Sequence, residues 1–533
     1  MSTPTADPGK AWESPGPTPL VRSTTVVGSM TLLSRISGLA RDIVVAGFFG
    51  ASQLMDAFVF AFKLPNLLRR FFAEGAFQQA FVPVIAESRA TGSLEDTRAL
   101  IARVAGTLAA TLAVVTAVGV LAAPVLVLVF GTGLVAGGGE AALAVDMLRF
   151  TFPYIFFISL TAMAGAVLNT FGRFAIPAVT PVLLNLALIG AVVWLSPRLE
   201  QPILALAIGV FIAGVAQLAF QIPFLLRARL LPRPRLGFAD QTVRRILKLM
   251  LPIMFGSSVA QINILFDTWI ALFLAGGSAT WLYYSDRLVE FPLGVFGIAI
   301  ATVILPTLAA QHARESKDAF AATIDWALRS VILIGLPAAV ALFVLAEPLF
   351  ATIFYRGAFD ETDVAMAAAS LMAFAPGLLG FCLVKILVPG FYSRQDSMTP
   401  VRVGVRALLL GMVLNVVFVL GLLETGWAPP HVGLAAATTL SSLTNAALLF
   451  RHLVRSGAYR PGPGWLRLAF RIAVATLAMT LFLLGILALA GDWLAIGSWA
   501  RMGWLAAAVT GGAAVYFATA LAVGLRPAQF RLH

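Results

Sequence analysis

Five basic residues, Arg35, Arg41, Lys63, Arg69 and Arg70, lie inside the first two long apolar stretches of this chain. At the centre of a bilayer a Lys or Arg costs roughly 2.5–3.5 kcal/mol on insertion scales unless it finds a partner or a wet cavity. The acids within reach, Asp42, Asp56 and Glu74, are fewer than the cations. Surplus positive charge in a low dielectric calls for an anion, and Arg grips phosphate oxygens through a planar fork of N–H donors. The chemistry that fits is reception of an anionic, phosphate-like group in a polar chamber. Internal ion pairs that hold helices together are the alternative for any single residue, above all for Asp42, Asp56 and Glu74.

Spacing sharpens this. On an ideal helix Asp56, Lys63, Arg70 and Glu74 fall within about 40° of one line, a face that Pro65 bends. Arg35 and Asp42 share a face, and Arg41 points elsewhere. Farther along, Asp286 and Glu290 share a face with Arg287 about 100° away. Lys385 stands between Val384 and Ile386, Asp267 sits mid-span, and Asn415 lies in a later apolar run.

The elements that must position these residues are membrane helices. The chain has 533 residues, 60% of them hydrophobic and 12% charged, with a mean hydropathy of +0.92. Soluble domains run about 45–50% apolar and about 25% charged. Apolar runs of twenty or more recur without the period-2 alternation of barrel strands. About fourteen spans are expected, at roughly 24–49, 52–88, 98–131, 140–170, 175–196, 201–227, 246–275, 278–311, 318–347, 361–392, 398–423, 430–454, 465–490 and 498–524. The second and eighth are too long for one straight crossing, so a tilt or break is expected at Pro65 and Pro292. Residues 1–22, with five prolines and no apolar core, read as a disordered tail.

With the N-terminus inside, most Lys and Arg fall in cytoplasmic segments, including the cluster from Arg227 to Lys248, and the opposite loops hold Arg198, Arg356 and Arg501. That satisfies the positive-inside rule. The net charge of +12 then reflects topology and contact with anionic membrane lipids, and no nucleic-acid partner is expected. The single cysteine, Cys382, excludes a disulfide framework and reads as core packing. The histidines, His431 among them, fall at expected helix ends or loops. No G-x-x-x-x-G-K-[ST] occurs, so the chain is expected to be a transporter without a hydrolytic motif. No resident cofactor is expected.

A weak repeat runs through the text. Pro83, Pro153 and Pro177 recur 223 residues later as Pro306, Pro376 and Pro400. The expected organisation is therefore all-α: a tail (1–22), an N-lobe of six spans (23–230), a basic cytoplasmic linker (231–245), a C-lobe of six (246–455), and two further helices with a short tail (456–533). Two pseudo-symmetric six-helix lobes around a midplane cavity follow the logic of parallel-repeat transporters.

Three sets of residues carry a resemblance. Ser34-Arg35-Ile36-Ser37-Gly38-Leu39-Ala40-Arg41-Asp42 is one. Asp56-Ala57-Phe58 with Lys63-Leu64-Pro65-Asn66-Leu67-Leu68-Arg69-Arg70-Phe71-Phe72-Ala73-Glu74-Gly75-Ala76-Phe77 is the second. Tyr283-Tyr284-Ser285-Asp286-Arg287-Leu288-Val289-Glu290-Phe291-Pro292 and Pro389-Gly390-Phe391-Tyr392-Ser393-Arg394-Gln395-Asp396 complete it. Over nearly the whole chain after the tail, the sequence resembles the MurJ/MviN lipid II flippases, of the superfamily that includes the MATE exporters. The resemblance implies that lipid II, undecaprenyl pyrophosphate bearing a disaccharide-pentapeptide, is moved to the outer leaflet of the bacterial inner membrane by alternating access. It implies head-group binding by Arg35, Arg41, Arg69, Arg70, Arg287 and Lys385. Asp42, Asp56, Asn66, Glu74, Asp286 and Glu290 would support or gate, the last two helices would form a groove for the lipid tail, and cell-wall synthesis proteins would be candidate partners. Some family members bind sodium, which makes Asp267 and Asn415 a candidate coupling site for Na+ or H+. Val419 stands where a further acid is expected, so sodium coupling should be weak; membrane potential is the other candidate drive. A MATE-like drug or cation antiporter, which would prefer an acidic pocket, and a flippase for another polyprenyl-pyrophosphate-linked glycan are the rival readings.

Overall fold

A computed structural model describes residues 20–69, 76–136, 140–231, 233–294 and 298–525. Among them the chain is helical throughout, with one isolated bridge, Arg356–Phe359, as the only extended pairing. Contacts divide it into two units. One holds the described residues up to Phe48 and Gln53–Leu265, and the other holds Phe49–Ser52 and the described residues from Phe266 onward.

The first unit contains α1 (Leu20–Phe49), α2 (Gln53–Arg69), α3 (Ala76–Thr91), α4 (Leu94–Leu121), α5 (Ala123–Phe130), α6 (Thr132–Ala136), α7 (Glu140–Thr151), α8 (Tyr154–Thr170), α9 (Ala175–Gly190) and α10 (Leu204–Arg227). It also takes α11 (Gln241–Ala271) as far as Leu265. The second contains α12 (Ser278–Pro292), α13 (Ile298–Ala313), α14 (Lys317–Val344), α15 (Ala346–Ile353), α16 (Glu361–Phe374), α17 (Gly377–Tyr392), α18 (Met398–Thr425), α19 (His431–Arg455), α20 (Trp465–Ala490) and α21 (Ser498–Ala522).

Local chemistry sets several starts. Ser93 and Asp96 form a capping box, each accepting the other's backbone N–H at 3.1 and 3.0 Å, which satisfies donors the first turn of α4 leaves unpaired. Asp360 caps α16 through the Asp363 N–H, 2.9 Å away. Asp240 accepts from the N–H groups of Thr242 and Val243 at the start of α11.

The 223-residue repeat extends from prolines to whole elements. α4 and α14 both span 28 residues and start at Leu94 and Lys317; α5 and α15 both span eight and start at Ala123 and Ala346. Pro83 and Pro306 lie inside α3 and α13, while Pro153 and Pro376 cap α8 and α17.

Among the described residues, nine helices are long and apolar enough to cross a membrane, or ten when α16 and α17, bent by 42°, count as one span. The four expected spans outside that set are the first, second, seventh and eighth; of the charged candidates only Lys385, on α17, lies within it. α1 carries Arg35, Arg41 and Asp42 along its length, while α2 and α3, and α12 and α13, are described on either side of residues 70–75 and 295–297, which lie outside the described residues. Pro65 does not break its helix: α2 runs through it to Arg69. At the other expected bend, Pro292 is the last α-helical residue of α12, and residues 293–294 continue as π-helix.

The last two helices are fastened to α14 by apolar packing and a few polar pins. Leu468, Ile472, Ala475, Met479 and Leu483 of α20 pack with Ala508, Tyr516 and Ala520 of α21, and the Tyr516 hydroxyl donates to the Leu333 carbonyl at 2.6 Å. Asp325 accepts from the Tyr459 hydroxyl, the Trp465 indole N–H and the Gly462 N–H, and pairs with Arg329. Arg501, expected in an outer loop, is instead 7% exposed on α21; it donates to the Ala351 carbonyl at the end of α15 and lies over the Tyr355 ring. His431, expected at a solvated helix end, is buried against Trp281 with Nε2 3.1 Å from the Met366 carbonyl.

Candidate functional site

In the first unit the candidate cations are not equivalent. Arg41 is buried and already matched: Nη2 lies 2.6 Å from Asp42 Oδ1, Nε 3.0 Å from the same oxygen, and Nη1 donates to Asn185 Oδ1 at 3.1 Å. Both side chains of that pair are under 10% exposed. The expectation that Arg41 points away from Asp42 therefore fails, because an extended guanidinium reaches the carboxylate of its neighbour in sequence. Asn185 of α9 binds α1 a second time, its amide donating to the Ser34 carbonyl at 3.2 Å and the Ser37 hydroxyl at 2.9 Å. Sequence reasoning missed Asn185; a lone amide in an apolar span was the available signal, since such groups pay for burial through hydrogen bonds.

Arg35 is half-buried on α1. Along α2, Asp56 is buried, Lys63 and Asn66 are half-buried, and the Arg69 Nε donates to Asn66 Oδ1 at 2.6 Å. That bond gives Asn66 a concrete role, aiming the guanidinium one turn away. Arg70 and Glu74 lie outside the described residues, so the four-residue face they would complete with Asp56 and Lys63 is outside them too.

The second unit places Asp286, Arg287 and Glu290 on α12. Arg287 Nη1 donates to Glu290 Oε2 at 3.1 Å, Nη2 to the Tyr283 hydroxyl at 3.3 Å, and the guanidinium stands 5.1 Å from the Tyr283 ring centroid. The pair is open, with side chains 37% and 43% exposed. Asp286 is exposed. Lys385 is exposed on α17 and makes no hydrogen bond or ion pair among the described residues.

A third cluster joins the coupling candidates. Asn415 Nδ2 donates to Asp267 Oδ1 at 2.6 Å, and the Thr438 hydroxyl donates to Oδ2 at 3.1 Å. Asn415 is 1% exposed, and its Oδ1 is buried with no hydrogen-bond partner among the described residues. A carboxylate, an open amide oxygen and a hydroxyl are the hard oxygen donors a small cation or proton would use. Val419, one turn beyond Asn415, is buried and adds no oxygen. Thr438 was not legible as part of this cluster, because only the fold brings α19 beside α11.

Ordinary carboxylates elsewhere serve as caps. Burial would raise the Asp240 carboxyl, yet the Val243 N–H, the Arg103 guanidinium and the Thr242 N–H together hold it below the usual range. Asp396 is lowered in the same way against burial by Thr399, Met398 and Arg394.

A family model described as "Lipid II flippase MurJ" matches residues 45–502. The chain is 48% identical over 514 residues to the "Probable lipid II flippase MurJ" of Vibrio cholerae, covering 95% of this chain and 97% of the relative. It is 41% identical over 520 residues to the "Lipid II flippase MurJ" of Burkholderia cenocepacia, covering 96% and 99%. A solved structure titled "Lipid II flippase MurJ, inward closed conformation" superposes with a TM-score of 0.76 at 24% identity over 93% of this chain and 98% of that one. An inward-facing multidrug resistance MATE family transporter of the MOP superfamily gives 0.64 at 15% identity, over 81% and 98%. Both structural likenesses establish the fold alone.

Proposed function

The chain belongs to the lipid II flippase MurJ family, and we propose that it moves lipid II from the cytoplasmic to the outer leaflet of the bacterial inner membrane. It is a polytopic membrane protein. In this reading its N-terminus faces the cytoplasm, and no hydrolytic step is involved. The observation that carries the reading is an open arginine, Arg287, held by Tyr283 and Glu290 on α12, a helix that also carries the exposed Asp286. A diphosphate carries more charge than one carboxylate and offers several acceptor oxygens, so it can displace Glu290 and take the planar N–H fork.

By the family resemblance, Arg35, Arg69 and Arg70 of the first unit and Lys385 of the second are further proposed cationic contacts for the head group. Arg41 acts from a fixed position, paired with Asp42 and held by Asn185. Binding the head group neutralises part of the cation excess, which makes enclosure less costly and permits alternating access while the prenyl chain stays in lipid against α20 and α21. Each net charge that crosses 100 mV is worth about 2.3 kcal/mol, so membrane potential is a sufficient drive for resetting. Asp267, Asn415 and Thr438 form the coupling site for H+ or weakly for Na+, because Val419 leaves the oxygen set incomplete; lipid II movement compared with and without a sodium gradient tests this. Cell-wall synthesis proteins would receive the delivered cargo.

The MATE fold is shared, but a cationic drug would meet a guanidinium-rich site, which disfavours that cargo. The test is depletion of the protein in growing cells with lipid II exposure to an outside reagent as readout. Exposure should collapse while inner-leaflet lipid II accumulates; unchanged exposure would refute the function.

A further inference from the structure

The connection between α10 and α11 takes no part in the transport reading, yet its backbone is held at several points. The Leu230 N–H closes α10 on the Leu225 carbonyl at 2.8 Å. Next, the Arg235 N–H donates to the Ala102 carbonyl at 2.9 Å and the Gly237 N–H to Thr107 Oγ1 at 3.0 Å, so the segment lies along α4 as a strap. Gly106 allows that approach: a Cβ there would stand 2.3 Å from the Arg235 carbonyl oxygen. Asp240 closes the strap by capping α11 and by accepting from Arg103 at 2.5 Å, and Arg244 Nε donates to the Phe238 carbonyl at 3.0 Å.

Clamped from behind, the strap presents an unusual outer surface. Leu236 is 70% exposed and Phe238 50% exposed, and they directly follow exposed Arg229, Arg233 and Arg235. From Arg227 to Lys248 the chain carries seven basic residues and one acid, Asp240, which Arg103 engages. Glu87 of α3 takes Arg245, and the remaining cations stay in excess. The strap begins where α10, long and apolar enough to cross a membrane, ends. At that level apolar tips can enter the boundary of the acyl chains while guanidinium groups meet phosphates.

We propose that the strap formed by 228–231 and 233–240 is an interfacial anchor that binds the phosphodiester head groups of anionic phospholipids in the leaflet beside it. The partner is a lipid surface, because charge alone would suit any polyanion whereas Leu236 and Phe238 have use only where acyl chains lie within reach. This site is separate from the residues assigned to the cargo and stands whether or not that assignment holds.

The test uses the full chain in mixed phosphatidylglycerol–phosphatidylcholine nanodiscs, with the lipids nearest the protein quantified by mass spectrometry after extraction. Wild type should enrich phosphatidylglycerol, and the enrichment should shrink between low and high salt. At about fivefold per cation near an anionic surface, the triple variant R229Q/R233Q/R235Q should lose up to about a hundredfold of local preference. L236S/F238S should keep the preference at low salt and lose it at high salt. Equal enrichment in wild type and the arginine variant would overturn the proposal, as would salt-independent enrichment in wild type, a reading that needs no variant to fold. Displacement of the lipid by equimolar soluble glycerophosphate would show a phosphate site instead and would also overturn it.

Discussion

Arg41 and Arg287 each pair with a carboxylate on their own helix, yet the two pairs live in opposite surroundings. Arg41 and Asp42 are both under 10% exposed and tied to Asn185 of another helix, whereas Arg287 and Glu290 are 37% and 43% exposed and rest beside Tyr283. A buried pair is expensive to break, since the stranded partner keeps its desolvation penalty. An open pair is worth little and exchanges readily. The same two functional groups thus serve as a fixed strut in one unit and as a replaceable contact in the other.

The largest effect expected from that contrast is on stability. Asp42→Ala leaves Arg41 buried without its carboxylate and should cost about 3–5 kcal/mol, read as a loss of folded protein in detergent melts; a change under about 1 kcal/mol would put Arg41 in a wet site. Glu290→Gln should change stability by less than about 1 kcal/mol.

Function should show the reverse order. Arg287→Ala should retain normal abundance and melting while head-group affinity falls about 10–100-fold, the worth of a charge-assisted hydrogen-bond pair. Binding of a soluble pyrophosphate head-group analogue would measure it, and unchanged affinity would remove Arg287 from the site. Thr438→Val should be milder, costing about 1 kcal/mol through one hydrogen bond to Asp267, with transport rate more affected than stability.

The smallest effect concerns pH at the cap of α11. Because the Asp240 carboxyl is held below its usual range, its contribution is complete above about pH 4 and fades as pH falls through the depressed value. Amide exchange at Thr242 and Val243 should accelerate only below that range, and Asp240→Asn should remove the pH dependence.

How much was legible in the sequence varied with the physics involved. The repeat was visible as three prolines because helix ends and bends need Pro, and the fold carries the same offset into α4 and α14. Apolar spans announced themselves by length. The first, second and eighth spans did so by their charges. Pro65 lies inside α2, so no break falls there. Asn185, Thr438 and the burial of Arg501 needed tertiary contacts: each is a polar group whose partner lies more than 140 residues away. Nothing in local pattern encodes such a distance.

The most direct measurement is lipid II access in proteoliposomes that contain purified protein, with an outside reagent reporting the head group as it appears. Wild type should expose the inner pool and Glu290→Gln should do so at a comparable rate. Arg287→Ala should leave that pool protected although the protein is folded and inserted. Equal exposure by wild type and Arg287→Ala would contradict the account.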